Sequence, residues 1–443
     1  MKSMTQLITD KKAGQAHTEE ELQWLVENYT NDNIPDYQMS AWLMAVCWQG
    51  MNFEETKALT LAMMRSGACL QLNNVGRPLV DKHSTGGVAD TTTLVLAPLL
   101  AAAGAGVAKM SGRGLGFTGG TIDKLESIPG FSATLQEDQF LALLQNQGLA
   151  LTAQSASIAP ADGKMYALRD VTATVDSLPL IAASVMSKKL AAGAEHILLD
   201  VKVGQGAFMQ TQEDAVELAR YMVAIGLGAG RNVKAILTSM ERPLGLAVGN
   251  ALEVAEAMEI LRGQGPLRLR QVCLRLASEA LCLAGLSLTL QEANLKLLEL
   301  LDSGKALECF RQWILSQGGA DIVTNPSLLP QAVLKEEMLS PLSGYVQQIQ
   351  ARIIGEASVA LGAGRRYKGE TLDLAAGLVL ACEQGDFVQK GQALATLHAD
   401  SAEKIAAAKK MLSSAFILGE TPSLSSPDVL GWVDADGFHS AAE

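Results

Sequence analysis

The chain has no paired-cysteine motif. Its six cysteines (Cys47, Cys69, Cys273, Cys282, Cys309 and Cys382) lie scattered through 443 residues without a CxxC. That removes the spacing of zinc ribbons and thioredoxin-like redox sites and fits reduced thiols in a cytoplasm. No run of Lys or Arg occurs and the net charge is −12, so the basic face of a nucleic-acid binder is missing. An anionic substrate would have to be held by a local site against an acidic whole. The opening MKSMTQLITDKKAGQ lacks an apolar h-region, and no signal peptide is expected. The most apolar run, Leu94 to Val107, is interrupted by Pro98 and small residues. It falls short of the roughly 18 residues of a membrane span, so a buried helix and a soluble cytoplasmic protein are expected. Nucleotide signatures are missing as well: there is no GxxxxGK[ST], no GxGxxG spacing, and no internal repeat.

What the chain does have is glycine, 41 residues against 13 prolines, in a composition 48% hydrophobic and 19% charged. That suits a globular α/β protein with tight strand-to-helix turns and enough length for two or three domains. The stretch to about Cys69 reads helical: Thr18 and Glu21 make a capping box ahead of Leu22, Leu25 and Val26, and Met39 to Trp48 and Phe53 to Ser66 continue at helical period. From Pro78 short apolar runs end in glycines. Strands are predicted at Leu79–Lys82, Val107–Met110, Ile197–Val203 and Ala235–Ser239, with a helix from Thr91. This alternation implies a mostly parallel sheet with ligands at the strand C-terminal ends. Pro330 to Ser343 reads as a linker, and Val346, Ile349 and Ala351 suggest strands beyond it.

Two segments carry the chemistry. In DKHSTGGVADTTT, residues 81–93, Lys82, Ser84 and Thr93 surround a glycine turn between a strand and a helix, a setting in which backbone N–H groups favour an anion. KMSGRGLGFTGGT, residues 109–121, repeats the recipe at the next strand end with Lys109, Ser111 and Thr121. Two neighbouring turns of a parallel sheet can converge on one tetrahedral anion, and nothing supplies a second or third phosphate site, so phosphate or a monophosphate is favoured. A third segment, YALRDVT with Ser184 and then Ser187-Lys188-Lys189, places Arg169 and Lys188 in otherwise apolar helical sequence. By themselves these two cations are more readily surface charges than site residues.

Together DKHSTGGVADTTTLVL, KMSGRGLGFTGGTIDKLESIPGF, YALRDVTATVDSLPLIAASVMSKKLAAG and DVKVGQGAFM resemble the pyrimidine nucleoside phosphorylase and thymidine phosphorylase family, over nearly the whole chain. GDFVQKG, residues 385–391, is also similar to the turn of a lipoyl- or biotinyl-like β-domain. No Met-Lys-Met acceptor precedes it, and its reading is structural. The resemblance implies a small all-α domain (residues 1–70 plus about 160–193), a larger mostly parallel α/β domain with the phosphate site (71–159 plus about 194–335) and a C-terminal α+β domain (336–443). It implies a phosphate site matching Lys82, Ser84, Thr93, Lys109, Ser111 and Thr121, and a base site matching Arg169, Ser184 and Lys188, with His83 and Leu115 near base and sugar. His83, Arg169 and Lys188 are the expected catalytic residues: the two cations stabilise charge on the leaving base, and His83 hydrogen-bonds or protonates a base carbonyl. The implied reaction is reversible phosphorolysis of uridine, thymidine and deoxyuridine to base and (deoxy)ribose 1-phosphate. Inorganic phosphate is the co-substrate, there is no organic cofactor, and the expected assembly is a homodimer through the α domain. Lys109 and Thr93 are more like the broad pyrimidine branch, and a thymidine-specific enzyme is the alternative.

The sequence departs from the family twice. Phe117 stands where the family commonly has His, so a polar contact to phosphate, sugar or the closing cleft should be lost. Ala89 stands where it commonly has Gly, in a region that, with Thr91, Leu244, Ala247 and Glu256, resembles a potassium site. These departures motivate a non-catalytic nucleoside-binding relative, against which the intact Lys82, His83, Ser84, Arg169, Ser184 and Lys188 argue. An anthranilate phosphoribosyltransferase-like enzyme would need diphosphate recognition and magnesium carboxylates, and the Ser-Lys-Lys and glycine-rich segments argue against it.

Overall fold

The computed structural model describes residues 2–72, 74–114, 116–117, 119–153, 157–367, 369–423 and 426–441. Four helices open the chain: Met4–Lys12, Glu19–Thr30, Asp36–Gln49 and Phe53–Arg65. The Thr18–Glu21 capping box is formed, and Ser3–Gln6 and Asn52–Glu55 form two more, each satisfying N–H groups that a helix start leaves open. Leu22, Leu25, Val26, Tyr29 and Trp42 are fully buried between these helices. Two later helices, Pro160–Val171 and Leu178–Ala191, pack into the same cluster through Ala161, Met165, Leu180 and Ala183.

The central sheet begins with five strands: β1 (Leu79–Ser84), β2 (Gly106–Ser111), β3 (Leu149–Ala153), β4 (His196–Val203) and β5 (Asn232–Ser239). They run parallel in the order β5-β4-β1-β2-β3. Their side chains are mostly buried on both faces, as helical crossovers require. The Leu94–Val107 run divides into the buried helix Thr92–Ala102 and the start of β2. No helix of the described residues is long and apolar enough to cross a membrane. β3 is absent from the sequence reading, because its short run LALTA carries neither alternation nor a following glycine turn.

The C-terminal part holds β6 (Ala247–Val248), β7 (Leu334–Leu339), β8 (Gly344–Ile349), β9 (Gly377–Leu380), β10 (Phe387–Val388), β11 (Ala393–Ala399) and β12 (Phe416–Gly419). They form antiparallel sheets in the orders β6-β9-β11-β7 and β10-β8-β12, with helices Ala351–Leu361 and Ala402–Leu412. Three local expectations are corrected. The supposed linker contains β7, an exposed edge strand (LKEEML) whose charged side chains hide its pairing with β11. Ala351 begins a helix instead of continuing a strand. And strands cross the expected boundary at residue 336 in both directions. β6 comes from the central segment, while the tail strands β13 (Val429–Asp434) and β14 (Gly437–Ser440) extend the central sheet antiparallel beyond β5. Edge pairing satisfies backbone groups wherever a free edge is offered, so the strands of the last hundred residues are divided among three sheets.

Candidate functional site

Because β1 and β2 are adjacent and parallel, their glycine turns emerge side by side at the same sheet edge. A cleft of about 290 Å³ opens there. Ser84, Thr93, Lys109, Ser111 and Thr121 line one wall, and Arg169, Ser184 and Lys188, from the two helices of the N-terminal bundle, line the other. His83 stands among both sets. Its size lies at the low end for small-molecule sites, about 300–1,000 Å³.

The sheet wall is built on buried charge. Ser84 Oγ donates to Asp90 and accepts the Gly86 N–H at 3.1 Å, which shapes the first turn. Asp90 also accepts from Thr92 Oγ1 at 2.5 Å. Burial alone would raise its pKa, but Lys202, Lys82 and Lys124 hold it well below the usual carboxylate range. Lys82, expected on phosphate, does not line the cleft. It lies under the turn with its Nζ 2.9 Å from Asp200 and 2.5 Å from Thr92 Oγ1. Burial opposes its charge, yet Asp200 and Asp90 prevail and its pKa is raised. Lys202 shares Asp200 at 2.9 Å, and Asp200 further accepts Thr238 Oγ1 at 2.6 Å. Asp81 in turn holds Lys189 at 2.7 Å and Lys109 at only 3.6 Å. Lys109 reaches the cleft, and burial together with Lys189 pushes it down to about 7.

The helical wall is organised differently. Arg169 donates from Nε to the Thr174 carbonyl (3.0 Å), from Nη1 to that of Leu180 (3.0 Å) and from Nη2 to that of Val175 (2.7 Å). The guanidinium therefore ties together the link between the two helices, and two of its five N–H groups remain for a ligand. Lys188 Nζ bonds Asp162 and, at 2.8 Å, Ser184 Oγ. Burial lowers its pKa and Asp162 counters it. Asp162 itself is buried, and its Oδ1 has no hydrogen-bond partner among the described residues.

His83 sits partly buried at the end of β1. Burial, and then Lys189, Lys109, Lys188 and Lys82, drive its pKa well below the ordinary value. Of its two expected roles, this favours the neutral hydrogen-bonding partner over the proton donor. Leu115 lies outside the described residues.

The set expected around a monovalent cation forms a separate neighbourhood. Ala89 adopts φ +55°, a left-handed conformation that favours glycine. Its carbonyl accepts the N–H groups of Thr91 (3.1 Å) and Gly245 (3.3 Å). Leu244 bonds back to Val88 at 3.1 Å, Thr91 Oγ1 donates to Glu253 at 2.9 Å, and Glu256 Oε1 accepts from Leu246 and Ala247 at 2.8 and 2.9 Å. Glu256 Oε2 is buried with no hydrogen-bond partner among the described residues, and burial pushes the carboxyl up to about 7.

Phe117 is a correction. It was expected to face the closing cleft, but it is not among the lining residues. Its ring lies 6.3 Å from that of Phe208, which does line the cleft, and 5.3 Å from the Arg352 guanidinium in the C-terminal part. A phenyl ring finds apolar area and a cation there. Sequence reasoning also missed Asp162, Asp81, Asp90, Asp200 and Lys202. Their signal is ionisable residues within apolar sequence, whose partners lie 26 to 108 residues away for Lys188–Asp162 and Lys189–Asp81.

Three family descriptions match the chain in order: "Glycosyl transferase family, helical bundle domain" over residues 5–67, "Glycosyl transferase family, a/b domain" over 76–307 and "Pyrimidine nucleoside phosphorylase C-terminal domain" over 345–418. A pyrimidine-nucleoside phosphorylase of Geobacillus stearothermophilus is 50% identical over 420 residues, 95% of this chain and 97% of the relative. One of Bacillus subtilis (strain 168) is 52% identical over 398 residues, 90% and 92% of the two chains. Among solved structures, anthranilate phosphoribosyltransferase from Thermus thermophilus superposes with a TM-score of 0.59 at 19% identity, covering 70% of this chain and 99% of that one. This last likeness is one of fold alone.

Proposed function

We propose, on the premise that the chain belongs to the pyrimidine nucleoside phosphorylase family, that it is a pentosyltransferase cleaving uridine, thymidine and deoxyuridine with inorganic phosphate. The observation that carries this reading is the cleft in which two glycine-hydroxyl turns, with Lys109 on the second, face Arg169, Ser184 and Lys188. A phosphate oxygen attacks the anomeric carbon as the bond to the base nitrogen breaks, and the base leaves with the electron pair of that bond. Thr93, Ser111 and Thr121 donate to phosphate, Ser84 joins them by turning its hydroxyl from Asp90 to the anion, and Lys109 supplies positive charge. Lys82 acts from beneath, holding Asp200 and Thr92. Arg169 and Lys188 stabilise the charge that grows on the base carbonyls, and neutral His83 hydrogen-bonds a carbonyl. Holding both substrates in line and shielding them from water favours phosphorolysis over hydrolysis.

Lys109 and Thr93 support the broad substrate range. The orphaned, buried Glu256 Oε2 fits a potassium ion held with backbone carbonyls of Thr91, Leu244 and Ala247, whereas the Ala89 carbonyl, already accepting two N–H groups, would have to give one up to join them. That ion would brace the β1 turn electrostatically. On helix Asp36–Gln49, Tyr37 and Trp48 are 75% and 82% exposed, which supports a homodimer through the helical domain. Six free cysteines support a cytoplasmic setting. The test is uracil and thymine release from uridine, thymidine and deoxyuridine, with and without phosphate or arsenate and without magnesium. Equal release in phosphate-free buffer would overturn phosphorolysis.

A further inference from the structure

The loop from Ser111 to Gly120 contributes most of the second anion turn, yet five of its ten residues are glycine. Such a segment has little conformational preference of its own, and ordering it costs more than ordering any other composition. Its shape has to be imposed from outside.

The imposing group is Asp123, buried in the first turn of the short helix Thr121–Glu126 that follows. Asp123 Oδ2 accepts the Gly114 N–H at 2.7 Å, and Oδ1 accepts Arg113 Nη1 at 3.2 Å. The loop ends are pressed together here: a side chain on Gly120 would put its Cβ 2.0 Å from the Gly114 nitrogen. Asp123 is in turn gripped by Arg365 from the C-terminal part, with Nη1 to Oδ2 at 2.9 Å and Nη2 to Oδ1 at 2.7 Å. The same Nη1 lies 3.4 Å from the Gly114 carbonyl. Asn250 Nδ2 fixes the segment before Arg365 through the Ala363 carbonyl at 2.9 Å. The helix preceding Arg365 meets the loop directly, since a Cβ on Gly355 would stand 2.5 Å from the Phe117 carbonyl.

We propose that Arg365 is a positioning residue for phosphate. Its planar fork fixes Asp123, Asp123 fixes the Gly114 amide, and the loop presents Ser111 and Thr121 at the spacing one anion requires. Arg365 is not among the residues lining the cleft and acts only through Asp123 and the loop. This makes the C-terminal part a working component of the anion site. The inference rests on the phosphorolysis reading above.

The experiment measures phosphate KM, nucleoside KM, kcat and thermal midpoint for the full chain and for Arg365→Ala, Arg365→Lys and Arg366→Ala. Arg366 is the control, since it pairs with Glu370 at the surface. Arg365→Ala is expected to raise phosphate KM roughly tenfold while nucleoside KM moves less than about twofold. Arg365→Lys, a point charge that cannot span both carboxylate oxygens, falls between, and Arg366→Ala matches the unmodified chain. A folded Arg365→Ala with phosphate KM within about twofold of the unmodified chain, or with both KM values rising in parallel, overturns the proposal. If Arg365→Ala does not fold, an unchanged phosphate KM in Arg365→Lys overturns it equally. Absence of phosphate-dependent release by the unmodified chain would sink the phosphorolysis reading instead, so the two failures are distinguishable.

Discussion

The two walls of the cleft hold their charges in opposite ways. On the sheet wall charges share partners: Asp200 serves Lys82 and Lys202, and Asp81 serves Lys189 and Lys109. With Asp90, and with Lys124 and its partner Glu253, that makes four carboxylates for five lysines, and the poorly served one, Lys109, lines the cavity. On the helical wall each cation has its own restraint, Arg169 on three carbonyls and Lys188 on Asp162. A shared network makes a rigid anion cradle but ties function to folding. A singly held cation can be removed with less damage, because its loss strands fewer buried partners.

The sharpest way to break this contrast is to remove one member from each wall. Asp200→Ala leaves Lys82 and Lys202 without their common partner. It is expected to cost about 3–5 kcal/mol of stability, read as a fall in the thermal midpoint. Lys188→Ala is expected to lower turnover by roughly 10²–10³ with a smaller fall in the midpoint than Asp200→Ala, since it strands one buried carboxylate, Asp162, in place of two lysines. Arg169→Ala should lower turnover by a similar order, but it also strips three buried carbonyls of their donor. A stable Asp200→Ala, or a Lys188→Ala that unfolds, would refute the contrast. Near-normal turnover in both cation variants would remove the base-site assignment.

The uncompensated lysine gives the next effect. Lys109 has an ordinary pKa of 10.5 and is pushed down to about 7 in the fold. Between these values the folded chain binds fewer protons than the unfolded one, so this group makes stability increase with pH across that window. A bound phosphate favours the charged form, so above about pH 7 binding must take up a proton. Phosphate KM is therefore expected to climb as pH rises above 7, by at most roughly tenfold per unit. Lys109→Arg, which stays charged, should show the flatter profile when the two are titrated together. Parallel profiles would mean that Lys109 is charged throughout.

Local signals made most of the fold legible. The Thr18–Glu21 cap, the glycine-terminated apolar runs of β1, β2, β4 and β5, and the buried stretch from Leu94 all express short-range chemistry. Adjacency of β1 and β2 turned two similar motifs into one cleft. β3 and β7 escaped because one is too short to show a period and the other is an edge strand dressed in charge. The side chains lining the cleft could be named from their motifs, but their supports could not. Asp162, Asp200 and Asp123 matter through partners distant in sequence, and no local pattern links Lys188 to Asp162 or Arg365 to Asp123. Lys82 shows the converse: its motif marks it for the anion, while its burial places it in the foundation.

The potassium neighbourhood tests whether the β1 turn needs more than its own network. Burial holds the Glu256 carboxyl up at about 7, so an acid whose folded pKa lies above its unfolded value is partly neutral near neutrality. A cation favours the carboxylate and competes with that proton. Stimulation by potassium should therefore be stronger at pH 8 than at pH 6, and Glu256→Gln should abolish it with a several-fold loss of activity at most. Activity measured in potassium and in tetramethylammonium buffers checks this, and equal rates at both pH values would remove the cation from the account.

Phe117 should give the smallest effect, and it joins the two comparisons. The substitution of Phe for the family's His was expected to cost a polar contact in the cleft, about 1 kcal/mol or roughly fivefold in one kinetic parameter. The ring lies behind the wall instead, between Phe208 and Arg352. Its influence can reach substrate only through Phe208 or through the loop that Arg365 holds. Phe117→His keeps a ring but gives up apolar contact, so a small loss of thermal stability is expected alongside a change below about fivefold in phosphate KM or in the uridine-to-thymidine ratio. Which parameter moves identifies the route. A shift in phosphate KM alone implicates the loop and should vanish in an Arg365→Ala background, because that loop is then already released. A shift in the nucleoside ratio alone implicates Phe208 and should survive there. If neither parameter moves while stability falls, the phenyl ring is packing between two parts of the chain and the departure from the family has no catalytic meaning.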